Sequence, residues 1–532
     1  MADKTDLGGN IAAPAAEVPR PGSPRMPPWG VADLPPPPTF TWSSWLGLIG
    51  PGLLMAGAAI GGGEWLMGPM VTARYGGSMM WLATTSILLQ MVYNVEISRY
   101  TLYSGEPIFT GKFRTRPGPW FWLPVYILLD FGAFFPYLAG TAAAPVAAMV
   151  LGRTAGIHDE GLLRSLGIAV FLLCILPLLF GGKVYNSLKV LVSIKVVVVF
   201  GFLLVVAIAH SSLSTWLEIG RGLFQFGNLP TGGGNVENVF VTLFSGRGFP
   251  QIDTSAIPAL TTFAAIAGLG GLTNTPVSSY TRDQGWGMGA HVGAIASVFG
   301  GHKVALSHVG KVFIPSPETM PRWRRWVRHV FRDQALIWAP ACIAGVALPS
   351  MMSIQFLPRG ATVKNVEVPV MTANALRDHV AVAWGPSWGE LFWFLTLLCG
   401  FLTLAVSMAC NADGFIRRWV DLCWTASSGL RQWDPRMIRW LYFGVLSVFA
   451  ISGIFMLCVQ KPMGLLVIST TIGNFALGFS SFHALVINLT LLPPPLRPGW
   501  ASRVMLVLAG CFYTLLGTLT TLNLGGFFAK AP

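Results

Sequence analysis

The chain reads as a succession of apolar runs separated by short polar stretches. Many of the runs approach 20 residues, enough for a helix to cross about 30 Å of hydrocarbon. Eleven such segments are predicted, at about 44–74, 79–103, 119–150, 162–181, 185–209, 255–281, 334–352, 389–412, 439–459, 463–492 and 503–522. A β-barrel is excluded, because its strands would be shorter and would alternate apolar with polar residues. The fold class is an all-α membrane protein.

Two of the segments are interrupted. Segment 1 contains Ala58-Ala59-Ile60-Gly61-Gly62-Gly63-Glu64-Trp65. Segment 6 contains Ala264-Ala265-Ile266-Ala267-Gly268-Leu269-Gly270-Gly271-Leu272-Thr273-Asn274-Thr275. Each opens Ala-Ala-Ile, dissolves into glycines and then presents a polar side chain. A glycine inside a helix costs about 1 kcal/mol against alanine. Freed backbone at membrane depth is tolerated only where it faces protein or lines a cavity. Glycine-interrupted segments at matching places in two halves point to a binding site near the midplane. Breaks in the first and sixth segments predict two five-helix repeats, segments 1–5 and 6–10. Their odd length forces opposite orientations, which makes a 5+5 inverted repeat with segment 11 peripheral.

The chain divides accordingly. Residues 1–41 are proline-rich, lack the apolar core of a signal peptide, and read as a disordered cytoplasmic tail. The first repeat covers 42–209, an extracellular loop 210–254, and the second repeat 255–492, including a basic cytoplasmic connector at 282–333. Residues 353–387 form a second outer loop, and 493–532 hold segment 11 and the C-terminus. In the connector, Arg322, Arg324, Arg325, Arg328 and Arg332 stand beside Trp323 and Trp326, the pattern of an interfacial amphipathic helix on anionic lipid.

Composition agrees: 53% of residues are hydrophobic, 11% are charged, and mean hydropathy is +0.60. The net charge of +13 would suggest nucleic acid in a soluble protein. Here most of the 35 lysines and arginines fall in the tail and in alternate loops, so the charge reports topology. It predicts a cytoplasmic N-terminus, an outer C-terminus and residence in the cell (inner) membrane, with no nucleic-acid partner. The seven cysteines show no zinc or disulfide spacing and read as packing. Phosphate-binding loops, His-Glu-x-x-His and Gly-x-Ser-x-Gly are absent, so neither an enzyme nor a cofactor is indicated.

The candidate chemistry gathers at the breaks. Glu64 begins the second half of segment 1, near a half-helix N-terminus where an anion is stabilised. With backbone exposed by Gly61, Gly62 and Gly63 it can ligate a hard cation or accept a coupling proton; the alternative is a simple cap. Gly270, Gly271, Thr273, Asn274 and Thr275 offer backbone, hydroxyl and amide oxygens, with N-capping as their structural alternative. Asn474 in segment 10 is the expected contributor from the end of the second repeat. Glu64 and Asn274 are the candidate metal ligands, an all-oxygen set suited to magnesium, calcium or manganese. Glu64, Asp130 and His483 are the proton-coupling candidates. Glu96 and Arg99, spaced i, i+3, predict a structural ion pair. Lys195 either snorkels to the inner interface or faces the bundle. Asn411 and Asp413 close segment 8 at the interface.

Several motifs resemble the Nramp family of proton-coupled divalent metal transporters. They are Gly50-Pro51-Gly52 opening segment 1, the break ten residues on, Tyr75-Gly76 at its end, and Gly140-Thr141-Ala142 in segment 3. The resemblance spans roughly 45–490 and implies a LeuT-like fold. The family's Asp-Pro-Gly-Asn matches Gly61-Gly62-Gly63-Glu64, so one carboxylate returns a helical turn along. Its Met-Pro-His matches about Leu272-Thr273-Asn274, without sulfur or imidazole. Its proton-relaying acids on segment 3 match Phe134 and Tyr137, with Asp130 one turn earlier. The implied function is alternating-access transport of a divalent cation of the magnesium, manganese or iron class. The competing reading is a symporter of a small anion or amino acid, because paired half-helix N-termini also attract anions.

Overall fold

The computed structural model describes residues 22–39, 51–179, 184–292, 309–360, 367–427, 429–430 and 438–528. The first 21 residues of the tail, Gly50, the entry to segment 1, part of the connector and the last four residues lie outside that set. The helices, in order, are α1 (Pro51–Ala59), α2 (Gly68–Tyr75), α3 (Trp81–Ser104), α4 (Ile108–Arg114), α5 (Pro119–Asp130), α6 (Tyr137–Leu151), α7 (Glu160–Leu179), α8 (Val184–His210), α9 (Leu213–Gly222) and α10 (Val239–Phe244). There follow α11 (Ile257–Ile266), α12 (Pro276–Asp283), α13 (Gly289–Val292), α14 (Thr319–Asp333), α15 (Ala339–Phe356), α16 (Val368–Trp384), α17 (Pro386–Ala426), α18 (Ile438–Val459), α19 (Pro462–Thr490) and α20 (Trp500–Leu524).

Among the described residues, nine helical stretches are long and apolar enough to cross a membrane. The broken first span and α3 stand beside them: the first is interrupted, and the second carries buried Gln90, Asn94, Glu96 and Arg99. The protein is an integral membrane protein. Its outer helices show the lipid-facing side directly, with Leu173, Val197, Ile208, Ile451 and Phe455 exposed on α7, α8 and α18.

Both predicted breaks are present. Segment 1 is α1 and α2 joined through Ile60–Gly62 and a π-helical turn, Gly63–Met67. Segment 6 is α11 and α12 joined through Ala267–Gly270 and a 3₁₀ turn, Gly271–Asn274. Segment 3 is broken as well: α5 stops at Asp130, a 3₁₀ turn follows, and Phe135-Pro136 is non-helical before α6. Pro136 explains the stop, since the residue before a proline is pushed out of the helical region.

Four expectations are corrected. The predicted disordered tail is packed over 22–39: Trp29 and Leu34 are buried, and Gly30–Val31 pairs in parallel with Lys311–Val312. The second outer loop contains α16, which buries Val370, Ala373, Leu376 and Val380. The first outer loop contains α9, α10 and a short hairpin, Asn228–Pro230 with Val236–Asn238. Segment 8 continues through α17 to Ala426, so Asn411 and Asp413 lie inside a helix and do not close one. The Asn411 amide donates to the Ala133 carbonyl at the segment 3 break, and Asp413 pairs with Arg417 one turn on.

Candidate metal site between two broken spans

The glycines of the first break permit close approach. A Cβ on Gly61 would meet Ser407 Oγ of α17 at 3.0 Å, and one on Gly62 would meet Leu138 of α6 at 3.1 Å. The break therefore sits pressed between α6 and α17. In the second break, Gly268, Gly270 and Gly271 have φ of +93°, +64° and +52°. That left-handed backbone favours glycine, which has no Cβ to clash.

Gln90 of α3 holds the second break open. Its Nε2 donates to the Ala267 carbonyl (2.8 Å) and Ser86 Oγ (2.9 Å). Its Oε1 accepts from the Leu269 and Gly270 amides (3.0 and 3.3 Å) and from Asn274 Nδ2 (3.0 Å). Both ends of the amide are thus committed, which fixes which way Asn274 points. The Asn274 nitrogen faces Gln90 and its Oδ1 is left without a partner.

Glu64 is fully buried. Its Oε2 accepts from the Gly61 amide at 2.8 Å, which is the local cap. The Gly268 amide of the other break also faces this carboxyl, yet Oε1 completes no hydrogen bond. The turn that carries Glu64 packs against α11, which places the carboxyl beside the other interrupted span. Tyr137 and Cys342 lie in its electrostatic surroundings. Asn474 of α19 is 2% exposed, and its Oδ1 also lacks a partner. It follows Gly473, whose Cα lies 3.3 Å from where a Cβ on Gly271 would stand. Thr273 turns inward on its own loop: Oγ1 donates to the Leu269 carbonyl at 2.5 Å and also to that of Gly270. Thr275 Oγ1 likewise donates to the Leu272 carbonyl (2.6 Å).

The other two titratable candidates have different partners. Asp130 forms a buried two-point ion pair with Arg418 (3.1 and 3.2 Å) and accepts from Trp419 Nε1. His483 has both ring nitrogens engaged, Nδ1 with the Tyr126 hydroxyl (2.6 Å) and Nε2 with Thr115 Oγ1 (2.7 Å). Glu96 and Arg99 form the ion pair their spacing predicts, and Asn488 donates to the same carboxylate. Lys195 faces the bundle: it is fully buried at the first break.

Sequence reasoning missed Gln90 and Ser407. Each is one of several buried polar residues on its helix, so the sequence offers no signal that singles it out. Among the described residues there is no group of three His, Cys, Asp or Glu side chains able to hold a metal. Any cation here would be held by one carboxylate, amide oxygens and backbone.

No protein-family model and no curated protein sequence matches the chain. Solved structures do. A histidine-to-alanine mutant of the Eremococcus coleocola manganese transporter superposes with a TM-score of 0.59 at 14% identity, over 94% of this chain and 92% of that one. The same transporter in complex with an aromatic bis-isothiourea substituted compound gives 0.58 at 14% identity, over 95% and 93%. This chain shares their fold. The shared architecture is the LeuT-like fold implied by the Nramp resemblance. At this identity the likeness carries the fold and leaves the substrate to the site's own chemistry.

Proposed function

We propose that the protein is a secondary transporter moving a divalent metal cation through the gap between its two broken spans. One observation carries this reading. Three buried acceptor oxygens, Glu64 Oε1, Asn274 Oδ1 and Asn474 Oδ1, stand on the segments that form or abut the breaks, and none has a donor. A buried acceptor left unpaired costs about 1–3 kcal/mol, and a cation satisfies several at once. An anion or a substrate carboxylate needs donors instead, and the unpaired side-chain donor among the described residues of the breaks, Trp65 Nε1, lies against Gly400 of α17. Oxygen-only ligands suit a hard cation such as magnesium or manganese, with borderline iron(II) less favoured. The structural neighbours are manganese transporters, which agrees.

Glu64 is the group we assign to proton exchange with the metal, since it stands at the break of segment 1 with Oε1 free, whereas Asp130 is paired with Arg418 and both ring nitrogens of His483 are engaged. Transport proceeds by alternating access, with α1–α3, α11, α12 and α15 rocking against α5–α7, α17 and α18 around the fixed site. The two five-helix halves act as inverted repeats. The face bearing the basic helix α14 is cytoplasmic by its charge. The chemistry is transport; no bond in the cargo is made or broken.

Uptake of radioactive manganese into proteoliposomes tests the reading. The wild type accumulates manganese and Glu64→Gln, folded and reconstituted, does not. Equal uptake by both removes the site from this place, and amino-acid uptake without metal flux replaces the function.

A further inference from the structure

We propose that Lys195 is a tethered cation, its ammonium filling a second, monovalent-cation site between the first break and α17. The inference goes beyond the metal site and rests on separate residues. Lys195 Nζ donates to the Ile60 carbonyl at 2.8 Å and to Ser407 Oγ at 3.0 Å. Ser407 Oγ in turn donates to the same carbonyl at 2.8 Å. A carbonyl and a hydroxyl oxygen converging on one positive charge is the ligand chemistry of a bound alkali cation.

The fold builds this contact deliberately. A Cβ on Gly57 would meet Val192 Cγ1 at 2.5 Å, so α8 lies hard against α1. Val192 is one turn before Lys195, which brings the lysine stem over the end of α1. The Ile60 carbonyl stands at the C-terminal end of that half-helix, where the helix dipole is negative and a cation is favoured. The titratable groups in electrostatic contact with Lys195 are Glu64, from the break itself, and Cys410, one turn beyond Ser407 on α17. The ammonium therefore ties the first span to α17. A soluble coupling cation would do the same work, and here the chain supplies its own.

Cation rescue tests the proposal. Lys195→Ala removes the stem and ammonium while leaving the Ile60 carbonyl and Ser407. The full chain in detergent is heated in choline chloride, then with sodium, potassium or methylammonium chloride replacing choline at constant ionic strength. The expected result is a rise in the unfolding midpoint of Lys195→Ala with at least one of these ions and none in the wild type. Adding Ser407→Ala to the variant abolishes the rise. Reconstituted Lys195→Ala should show manganese uptake reduced on the order of tenfold in choline, as the competent fraction falls, and recovery with the same ion.

A midpoint insensitive to every ion, or an equal rise in the wild type, overturns the tethered cation. So does failure of both Lys195→Ala and Lys195→Gln to fold with any ion present. The melting arm does not depend on the cargo. A wild type that moves no manganese while Lys195→Ala still answers to cations would refute the metal reading and leave this one standing.

Discussion

Replacing Gln90 with leucine isolates the element that shapes the site without touching any proposed ligand's charge. Leucine nearly matches the side chain in volume but offers no hydrogen bonds. The Leu269 and Gly270 amides lose their side-chain partner, while the Ala267 carbonyl keeps the longer bond from Ser86 Oγ at 3.4 Å. Each buried backbone group left unpaired costs about 1–3 kcal/mol, so the two amides place at least about 2 kcal/mol on the present shape of the break. If that shape is the binding-competent one, its population falls and the apparent metal affinity falls with it. About 2 kcal/mol corresponds to roughly thirtyfold in Kd. Titration calorimetry with manganese on purified wild type and Gln90→Leu measures this. Gln90→Glu serves as the companion, because its carboxylate still accepts from both amides; its loss should be smaller. Unchanged affinity in a monodisperse Gln90→Leu would refute the view that Gln90 sets the geometry of the site.

Other predictions follow from the same contacts. Gly271→Ala places a side chain at φ +52° and 3.3 Å from Gly473, at a cost of about 1–3 kcal/mol; manganese uptake should fall while expression holds, as read by proteoliposome flux. Trp29→Ala removes a buried side chain packed on Tyr100, Tyr103 and Arg114 and should cost about 3–5 kcal/mol; limited proteolysis should then cut within 22–39, where the wild type resists. Arg418→Met alone strands the buried Asp130 carboxylate and should destabilise by about 3–5 kcal/mol, whereas Asp130→Leu with Arg418→Met should recover much of the loss; melting curves of the single and double variants compare them.

The breaks were legible because glycine clusters stand out in an apolar run, and Glu64 was legible because an acid at membrane depth is costly and marks a functional position by default, even where it also caps its half-helix. What surrounds them was not. Gln90 shares α3 with Thr84, Ser86 and Asn94, all buried, and only the folded chain shows which of these polar groups meets the second break. Asp130 sat in an apolar context because its partner, Arg418, is 288 residues away. Residues 22–39 looked disordered by composition, since proline-rich sequence lacks a helical or strand period. Their order comes from docking, as the Arg114 guanidinium donates to the Pro27 carbonyl and Trp326 donates to that of Pro35. Helix α16 did carry a signal, with Val370, Ala373, Leu376 and Val380 recurring at three and four residues, but its polar neighbours lowered the hydropathy that marked the spans. Lys195 was ambiguous from sequence, because a lysine near one end of an apolar run can reach either the interface or the bundle; the close contact at Gly57 decides it.

The central claim is that a divalent cation lies between the two interrupted spans, and anomalous scattering from manganese-soaked crystals tests it most directly. One peak within coordination distance of Glu64 Oε1 and Asn274 Oδ1, absent in Glu64→Gln, is the predicted result. A peak elsewhere, or none at these oxygens at manganese concentrations that saturate transport, would contradict the account.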